Sequence, residues 1–172
     1  ILECINERIH RLRVADPSQR RRGPGANPRL LVAQGLGQRR GGVGGAEWQA
    51  NTEHMLRAMI AQNRNHPSVF FWSLGNEIYW LPDFVGGGDE DRINAYLQQL
   101  QNVAKELDPY RLTAIRKHYA GHDIVDVFSP SIWAGWYGGG YHQYEEAIAA
   151  ARAKYPRMLH TEYGGSSHVG RF

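Results

Sequence analysis

The stretch Ser68–Val69–Phe70–Phe71–Trp72–Ser73–Leu74–Gly75–Asn76–Glu77 constrains this chain more than any other. Asn65–His66–Pro67 stands just before it and stops a helix, because the residue preceding a proline avoids the α region. From Val69 the run is apolar, aromatic or β-branched for several residues, which marks a strand buried on both faces. It then ends abruptly on Gly75, Asn76 and Glu77. A carboxylate at the mouth of a buried strand is held rigidly beside a cleft. Glu77 is therefore read as an acid/base group that the strand aims.

The elements on either side set the fold class. Ala46 to Asn63 reads as a helix with Trp48, Met55, Leu56, Met59 and Ile60 on one face at three- and four-residue spacings. After Glu77 comes an aromatic loop, Ile78 to Val85, then Gly86–Gly88, with Asp89 placed as an N-cap. Ile93, Tyr96, Leu97, Leu100, Val103, Ala104 and Leu107 form a second helical stripe that ends at Asp108–Pro109. Strands are expected at 111–116, 124–129 and 156–161, with a helix from Tyr141 to Lys154 between the last two. Alternating helices and strands imply a parallel sheet with helical crossovers. Chemistry-bearing residues repeatedly follow strand C-termini, the active-site face of a parallel α/β barrel. An open doubly wound sheet would carry a GxGxxG turn after its first strand. None is present, and the runs Gly86–Gly88 and Gly138–Gly140 lack that spacing.

Residues 1–45 have a different composition. They are rich in Arg, Gly and Pro, nine of the arginines lie before Gly41, and no Phe, Trp or Tyr precedes Trp48. Such a segment buries little, so 1–45 is expected to be an irregular lead-in and 46–172 the folded domain. Only Leu30–Leu31–Val32–Ala33 has the character of a short strand. A basic arm for nucleic acid is the functional alternative. The net charge of +3 comes from this end alone, acids and bases being nearly balanced from Ala46 onward, so a nucleic-acid partner is not expected. An out-of-frame gene segment would give the same abrupt change of composition. The single Cys4 rules out an internal disulfide and a Cys-based zinc site. No stretch is long and apolar enough to span a membrane. The start at Ile1 and the end at Phe172 suggest a fragment.

Two carboxylates, Glu77 and Glu162, end two different strands. Glycosidic bonds are inert at neutral pH, and cleavage needs a proton for the departing oxygen and a carboxylate facing the anomeric carbon. Carboxyls about 5–5.5 Å apart do this with retention; about 6.5–9.5 Å admits a water and inverts. One carboxyl must stay protonated while its partner ionises. Asn76 suits a donor to the sugar 2-OH. His118, Trp133 and Tyr137 are further candidate sugar contacts, and Trp80 and Trp136 candidate stacking platforms. His160 beside Glu162 lacks a visible third ligand, so no metal is expected.

The segment Asn65 to Glu77 resembles the acid/base segment of glycoside hydrolase family 2, which includes β-galactosidases, β-glucuronidases and β-mannosidases. Its Leu74–Gly75–Asn76–Glu77 ending is most similar to β-galactosidases, and His160–Thr161–Glu162–Tyr163–Gly164 resembles the family's nucleophile strand. The resemblance covers roughly Ala46 to Phe172. It implies a partial (β/α)8 TIM barrel, strands 4 to 7 with their helices, truncated at both ends. It implies a retaining β-glycosidase in which Glu162 attacks the anomeric carbon and Glu77 acts as acid, then base. Terminal β-galactosides are the first expectation, β-glucuronides or β-mannosides the second, and an inactive carbohydrate-binding fragment the third. The implied partner is a carbohydrate, with no cofactor and no membrane; an oligomeric parent stays open. Two departures stand out. A tyrosine that hydrogen-bonds the nucleophile in the family is matched by either Trp133 or Tyr137. A third barrel strand is due before Ala46, where the Arg/Gly-rich segment stands.

Overall fold

The computed structural model describes residues 29–32, 44–78, 90–162 and 164. The expected loop of 79–89, with Trp80, Gly86–Gly88 and the Asp89 cap, lies outside the described residues, as does Tyr163. Strand β1 (Arg29–Val32) is followed by helix α1 (Ala46–Asn63), strand β2 (Val69–Asn76), helix α2 (Glu90–Leu107), strand β3 (Leu112–Arg116), strand β4 (Val127–Ser129) and helix α3 (Tyr144–Lys154). Short 3-10 turns occupy Tyr119–Gly121 and Tyr141–Gln143.

The strands form one sheet in the order β1-β2-β3-β4, and every pairing is parallel. Met158 adds a parallel bridge to Phe128, with Phe128 N donating to Arg157 O at 3.0 Å and Leu159 N donating to Phe128 O at 3.0 Å. The chain around 157–159 therefore lies as the next parallel strand, although regular pairing is limited to that bridge. This open sheet with its helices is a partial (β/α)8 barrel. The strand that flanks β2 on its N-terminal side is present: Leu30, Leu31 and Val32 pair with Phe71, Trp72 and Ser73. Four residues suffice for that pairing, and they overlap the short strand expected at Leu30–Ala33, set one residue earlier within the Arg/Gly-rich composition.

Core packing follows the helical stripes. Ile93, Tyr96, Leu97, Leu100, Val103 and Ala104 of α2 are all buried and join Leu56 and Ile60 of α1, Trp72 and Leu74 of β2, and Ile115 of β3. Each fully buried Leu or Ile contributes about 1.5–3 kcal/mol, so this face alone accounts for the position of α2. On α1, Thr52 is buried as well, its hydroxyl donating to Trp48 O at 2.9 Å. That bond satisfies the hydroxyl and lets a polar residue share the apolar face.

A charged clamp fixes the N-terminal ends of β2 and β3. Asp108, 5% exposed, accepts from Trp72 Nε1 at 3.1 Å and from Arg111 Nη1 at 2.6 Å. Arg111 also donates from Nε to Val69 O at 2.7 Å and from Nη2 to His66 O at 3.1 Å. Asp126 accepts from Thr113 N and Oγ1 at 2.8 and 2.9 Å and pairs with Lys105 at 2.6 Å. Because every pairing is parallel, the C-terminal ends of the strands all lie on the side opposite this clamp.

Candidate active site

Asn76, Glu77, Arg116, Lys117 and Glu162 come together at the C-terminal ends of the strands. The last residue of β2 is Asn76 and the last of β3 is Arg116, and these two are register partners. Glu77 N donates to Arg116 O at 3.1 Å, and Lys117 N donates to Ser129 O at 2.9 Å. Glu77 and Lys117 both have left-handed backbone, φ +57° and +60°. A long side chain in that region is disfavoured, and such strain persists only where the surroundings impose it, often at functional sites. Here the backbone bonds hold both residues in place and turn their side chains toward each other.

Arg116 is the hub. It is 4% exposed, and its Nη1 donates to Asn76 Oδ1 at 2.7 Å and to Glu77 Oε1 at 2.9 Å. Its Nη2 lies 2.8 Å from Glu162 Oε1 as an ion pair. One guanidinium therefore holds both candidate carboxylates. Lys117 Nζ adds a third contact to Glu77 Oε1 at 3.0 Å. The segment bearing Glu162, which forms no regular strand here, is tied to β4 by Thr161, whose N donates to Ser129 Oγ at 3.1 Å and whose hydroxyl meets the same Oγ at 2.8 Å. His160 precedes it, stacked on Tyr144 and in hydrogen-bond contact with the Tyr144 hydroxyl through Nδ1 at 2.7 Å.

The two carboxyls are driven apart in proton affinity. Burial pushes Glu162 above the ordinary carboxylate range; the nearby Glu77 charge adds to this, and Arg116 only partly offsets it. Burial also pushes Glu77 up, but the hydrogen bonds and charges of Lys117 and Arg116 outweigh it and hold Glu77 below that range. As arranged here, Glu77 is the more readily ionised of the pair, because Glu162 is the more buried and only Glu77 accepts hydrogen bonds from Lys117 and Arg116.

Trp133 joins the site through Lys117, whose Nζ lies 4.2 Å from the centre of its ring. Tyr137 meets Trp133 edge-on at 5.3 Å and stacks on Trp136 at 4.4 Å, forming an aromatic cluster in the loop after β4. Gly135, at φ +81°, allows the tight turn that presents them, and a Cβ there would sit 3.0 Å from Tyr141. His118 is placed elsewhere. It is 1% exposed, with Nε2 2.7 Å from Asn94 Oδ1 on α2 and Gly121 packed against its ring. The left-handed residue Lys117 directly precedes it, at the end of β3. Arg116 and Lys117 went unnoticed in the sequence as site residues. The signal was available: they follow the same rule, polar groups at a parallel strand's C-terminal end, that singled out Glu77 and Glu162. Among the described residues, no group of three or more His, Cys, Asp or Glu side chains is placed to hold a metal ion, and no helix is long and apolar enough to cross a membrane.

Residues 39–170 match the family model for glycosyl hydrolases family 2, TIM barrel domain. A protein of Formosa agariphila that carries a provisional β-glucuronidase name is 57% identical over 142 residues, which is 83% of this chain and 17% of that protein. A Priestia megaterium β-galactosidase is 35% identical over 85 residues, 48% of this chain and 7% of the relative. The apo structure of Bacteroides uniformis β-glucuronidase 3 superposes with a TM-score of 0.69 at 48% identity, covering 75% of this chain and 16% of that one. The chain thus spans about a sixth of the length of the β-glucuronidases it matches here.

Proposed function

This chain belongs to glycosyl hydrolase family 2, and from that premise we propose that it carries the catalytic carboxylates of a retaining β-glycosidase acting on β-glucuronides. The observation that carries the proposal is the pairing of Glu77 and Glu162 on the two terminal nitrogens of Arg116. The reaction needs the proton on Glu77 and Glu162 ionised, the reverse of the order the site favours without substrate. Only the fraction with the proton on Glu77 enters the first step, in which a Glu162 carboxylate oxygen forms a bond to the anomeric carbon as the bond to the leaving oxygen breaks. The Glu77 proton passes to that oxygen. In the second step Glu77 takes a proton from water, the hydroxyl adds to the anomeric carbon, and the bond to Glu162 breaks. Two inversions give net retention. Asn76, anchored to Arg116 through its carbonyl oxygen, is positioned beside the acid to meet the sugar's 2-OH.

The choice of glucuronide over galactoside reverses the order suggested by the Leu74–Gly75–Asn76–Glu77 ending. The Formosa agariphila relative and the Bacteroides uniformis β-glucuronidase 3 structure match at higher identity and over more of this chain than the β-galactosidase from Priestia megaterium. The short galactosidase-like ending surrounds the acid/base, which every member of such a family needs whatever its sugar. The longer match therefore has more bearing on substrate.

The test uses the full-length protein that contains this chain, assayed on p-nitrophenyl β-glucuronide, β-galactoside and β-mannoside. Hydrolysis is expected first on the glucuronide. Glu162→Gln is expected to abolish turnover. Full activity in both Glu77→Gln and Glu162→Gln would refute the mechanism, and a wild type that cleaves only the galactoside would refute the substrate.

A further inference from the structure

The crossovers of the sheet are unequal. Helices of 18 residues each, α1 and α2, carry the chain from β1 to β2 and from β2 to β3. Between β3 and β4 stands only the 3-10 turn Tyr119–Gly121, and no α-helix joins these two strands. A cavity of about 450 Å³ lies between that turn, the loop after β4 and α3. Its volume falls within the range of small-molecule sites, about 300–1,000 Å³. Two aromatic residues of its lining are held by the core. Tyr155 is 7% exposed and packs on Phe128 at 4.7 Å, and Tyr119 meets Phe128 edge-on at 5.3 Å. On α3 the lining is Ala147 and Ala151, whose small side chains leave the space open.

The polar groups of this cavity select its ligand. Ser131 and Trp133 both line it, and Ser131 Oγ and Trp133 Nε1 are buried without a hydrogen-bond partner among the described residues. Buried polar groups are nearly always paired. The indole nitrogen only donates, and the hydroxyl donates or accepts. The Tyr119 hydroxyl accepts from Ser131 N at 3.1 Å and keeps its own proton to give. A ligand that pairs these groups must bring oxygens. Among the described residues, none with a charged side chain lines the cavity, so nothing there balances an ion. An uncharged, oxygen-rich ligand with an apolar face for aromatic rings is a neutral sugar. We propose that this cavity is a second saccharide site, one that takes a neutral sugar unit. Trp133 ties it to the candidate active site, since the same ring carries Lys117 Nζ at 4.2 Å from its centre. The cavity thus suits a neutral unit of a longer substrate whose terminal unit is held by the carboxylates. Only that link rests on the proposed function; the binding itself needs neither Glu77 nor Glu162.

The test is a titration, followed by saturation-transfer NMR, of the full-length protein with methyl β-galactoside, methyl β-glucoside and methyl β-xyloside. At least one of them is expected to bind. Ala147→Phe, which fills the cavity from α3, is expected to remove that binding, while Ala147→Ser keeps it. Ser131→Ala deletes a hydroxyl that meets no partner among the described residues. Its melting temperature is therefore expected to hold while its affinity for the glycoside falls about 2- to 10-fold. Absence of binding in the wild type would overturn the site, and so would an affinity that Ala147→Phe leaves unchanged. Turnover of p-nitrophenyl β-glucuronide in the same samples separates the two readings, and it is expected to survive in Ala147→Phe. If the wild type binds a neutral glycoside without cleaving the glucuronide, only the proposed substrate falls. If it cleaves the glucuronide and binds no neutral glycoside, only the saccharide site falls.

Discussion

Strand β3 is framed by two arginines, Arg111 just before its first residue and Arg116 as its last, and the networks around them differ in kind. At the N-terminal end, Arg111 pairs with a single carboxylate, Asp108, and its remaining bonds go to backbone carbonyls. Neighbouring Asp126 has its own cation, Lys105. Burial pushes both aspartates up, yet Arg111 and Trp72 in one case and Lys105 and Thr113 in the other hold them below the ordinary range. At the C-terminal end, Arg116 is shared by two carboxylates whose proton affinities move in opposite directions. The backbone at that end is left-handed at Glu77 and Lys117. A network in which each acid has its own base stabilises one state; a network in which two acids share Arg116, with Lys117 on Glu77 as well, leaves a choice of where a proton sits. In a barrel this matches the division between a stabilising face and a reactive face.

The largest effect expected from breaking this contrast is on turnover. Glu77→Gln removes the proton donor and is expected to lower kcat on an unactivated glycoside by about 10²–10⁴-fold, with the melting temperature nearly unchanged. The counterpart at the other end is Asp108→Ala. It strands the Arg111 guanidinium and the buried Trp72 Nε1 and is expected to cost about 3–5 kcal/mol of stability. Thermal melting of the full-length protein would report this, and the turnover of the fraction still folded should be kept. The pH dependence has a definite sign. Asp108 is held low in the folded state, so its contribution is present above its unfolded value near 3.9 and is lost as pH falls through the folded value. The gap in melting temperature between wild type and Asp108→Ala should therefore close on acidification. A large loss of turnover in Asp108→Ala without loss of fold would erase the proposed division of labour.

Much of this contrast was legible in the chain, and the unread parts have physical causes. The α2 stripe announced its buried face residue by residue, because one amphipathic helix contains its own pattern. Strand β2 was equally plain, since Val69 to Leu74 has no reason to be so apolar unless covered. Strand β1 was only glimpsed. Its four residues are too few for a period to show, and what makes them a strand is the edge of β2, 40 residues away along the chain. His118 was assigned to the sugar on its position after a strand. It instead meets Asn94 on α2, and the left-handed φ of Lys117 just before it is announced by no residue type there. Arg116 shows the remaining limit. An arginine ending a strand is common, and its meaning emerges only when β2 and the segment bearing Glu162 place Asn76, Glu77 and Glu162 around it.

Smaller effects sharpen the comparison. Glu162 is raised by burial, the opposite case from Asp108. A raised carboxyl favours the fold most fully below its unfolded value near 4.3, and that contribution is lost as pH rises through the folded value. Glu162→Gln, although inactive, is thus expected to gain melting temperature relative to wild type as pH rises from about 4 to neutrality. A functional carboxylate kept at a cost to stability is a familiar compromise. The same trend in Asp108→Ala would show that the two ends do not differ in this way.

The smallest expected change is a displacement of the pH profile. Lys117 and Arg116 together hold the Glu77 carboxyl low against its burial, and only Lys117 contacts Glu77 without also contacting Glu162. Removing Lys117 withdraws a cation that favours the ionised form, so Glu77 keeps its proton to higher pH. Because Glu77 is held below Glu162 in the free enzyme, the acidic limb of kcat/KM for an uncharged leaving group is the one that follows Glu77. Lys117→Met is expected to move that limb upward, while Lys117→Arg leaves it near the wild-type position. A limb that stays fixed in Lys117→Met would mean that Lys117 does not govern the Glu77 proton. The mouth of the site would then hold its charges one to one, like the clamp around Arg111.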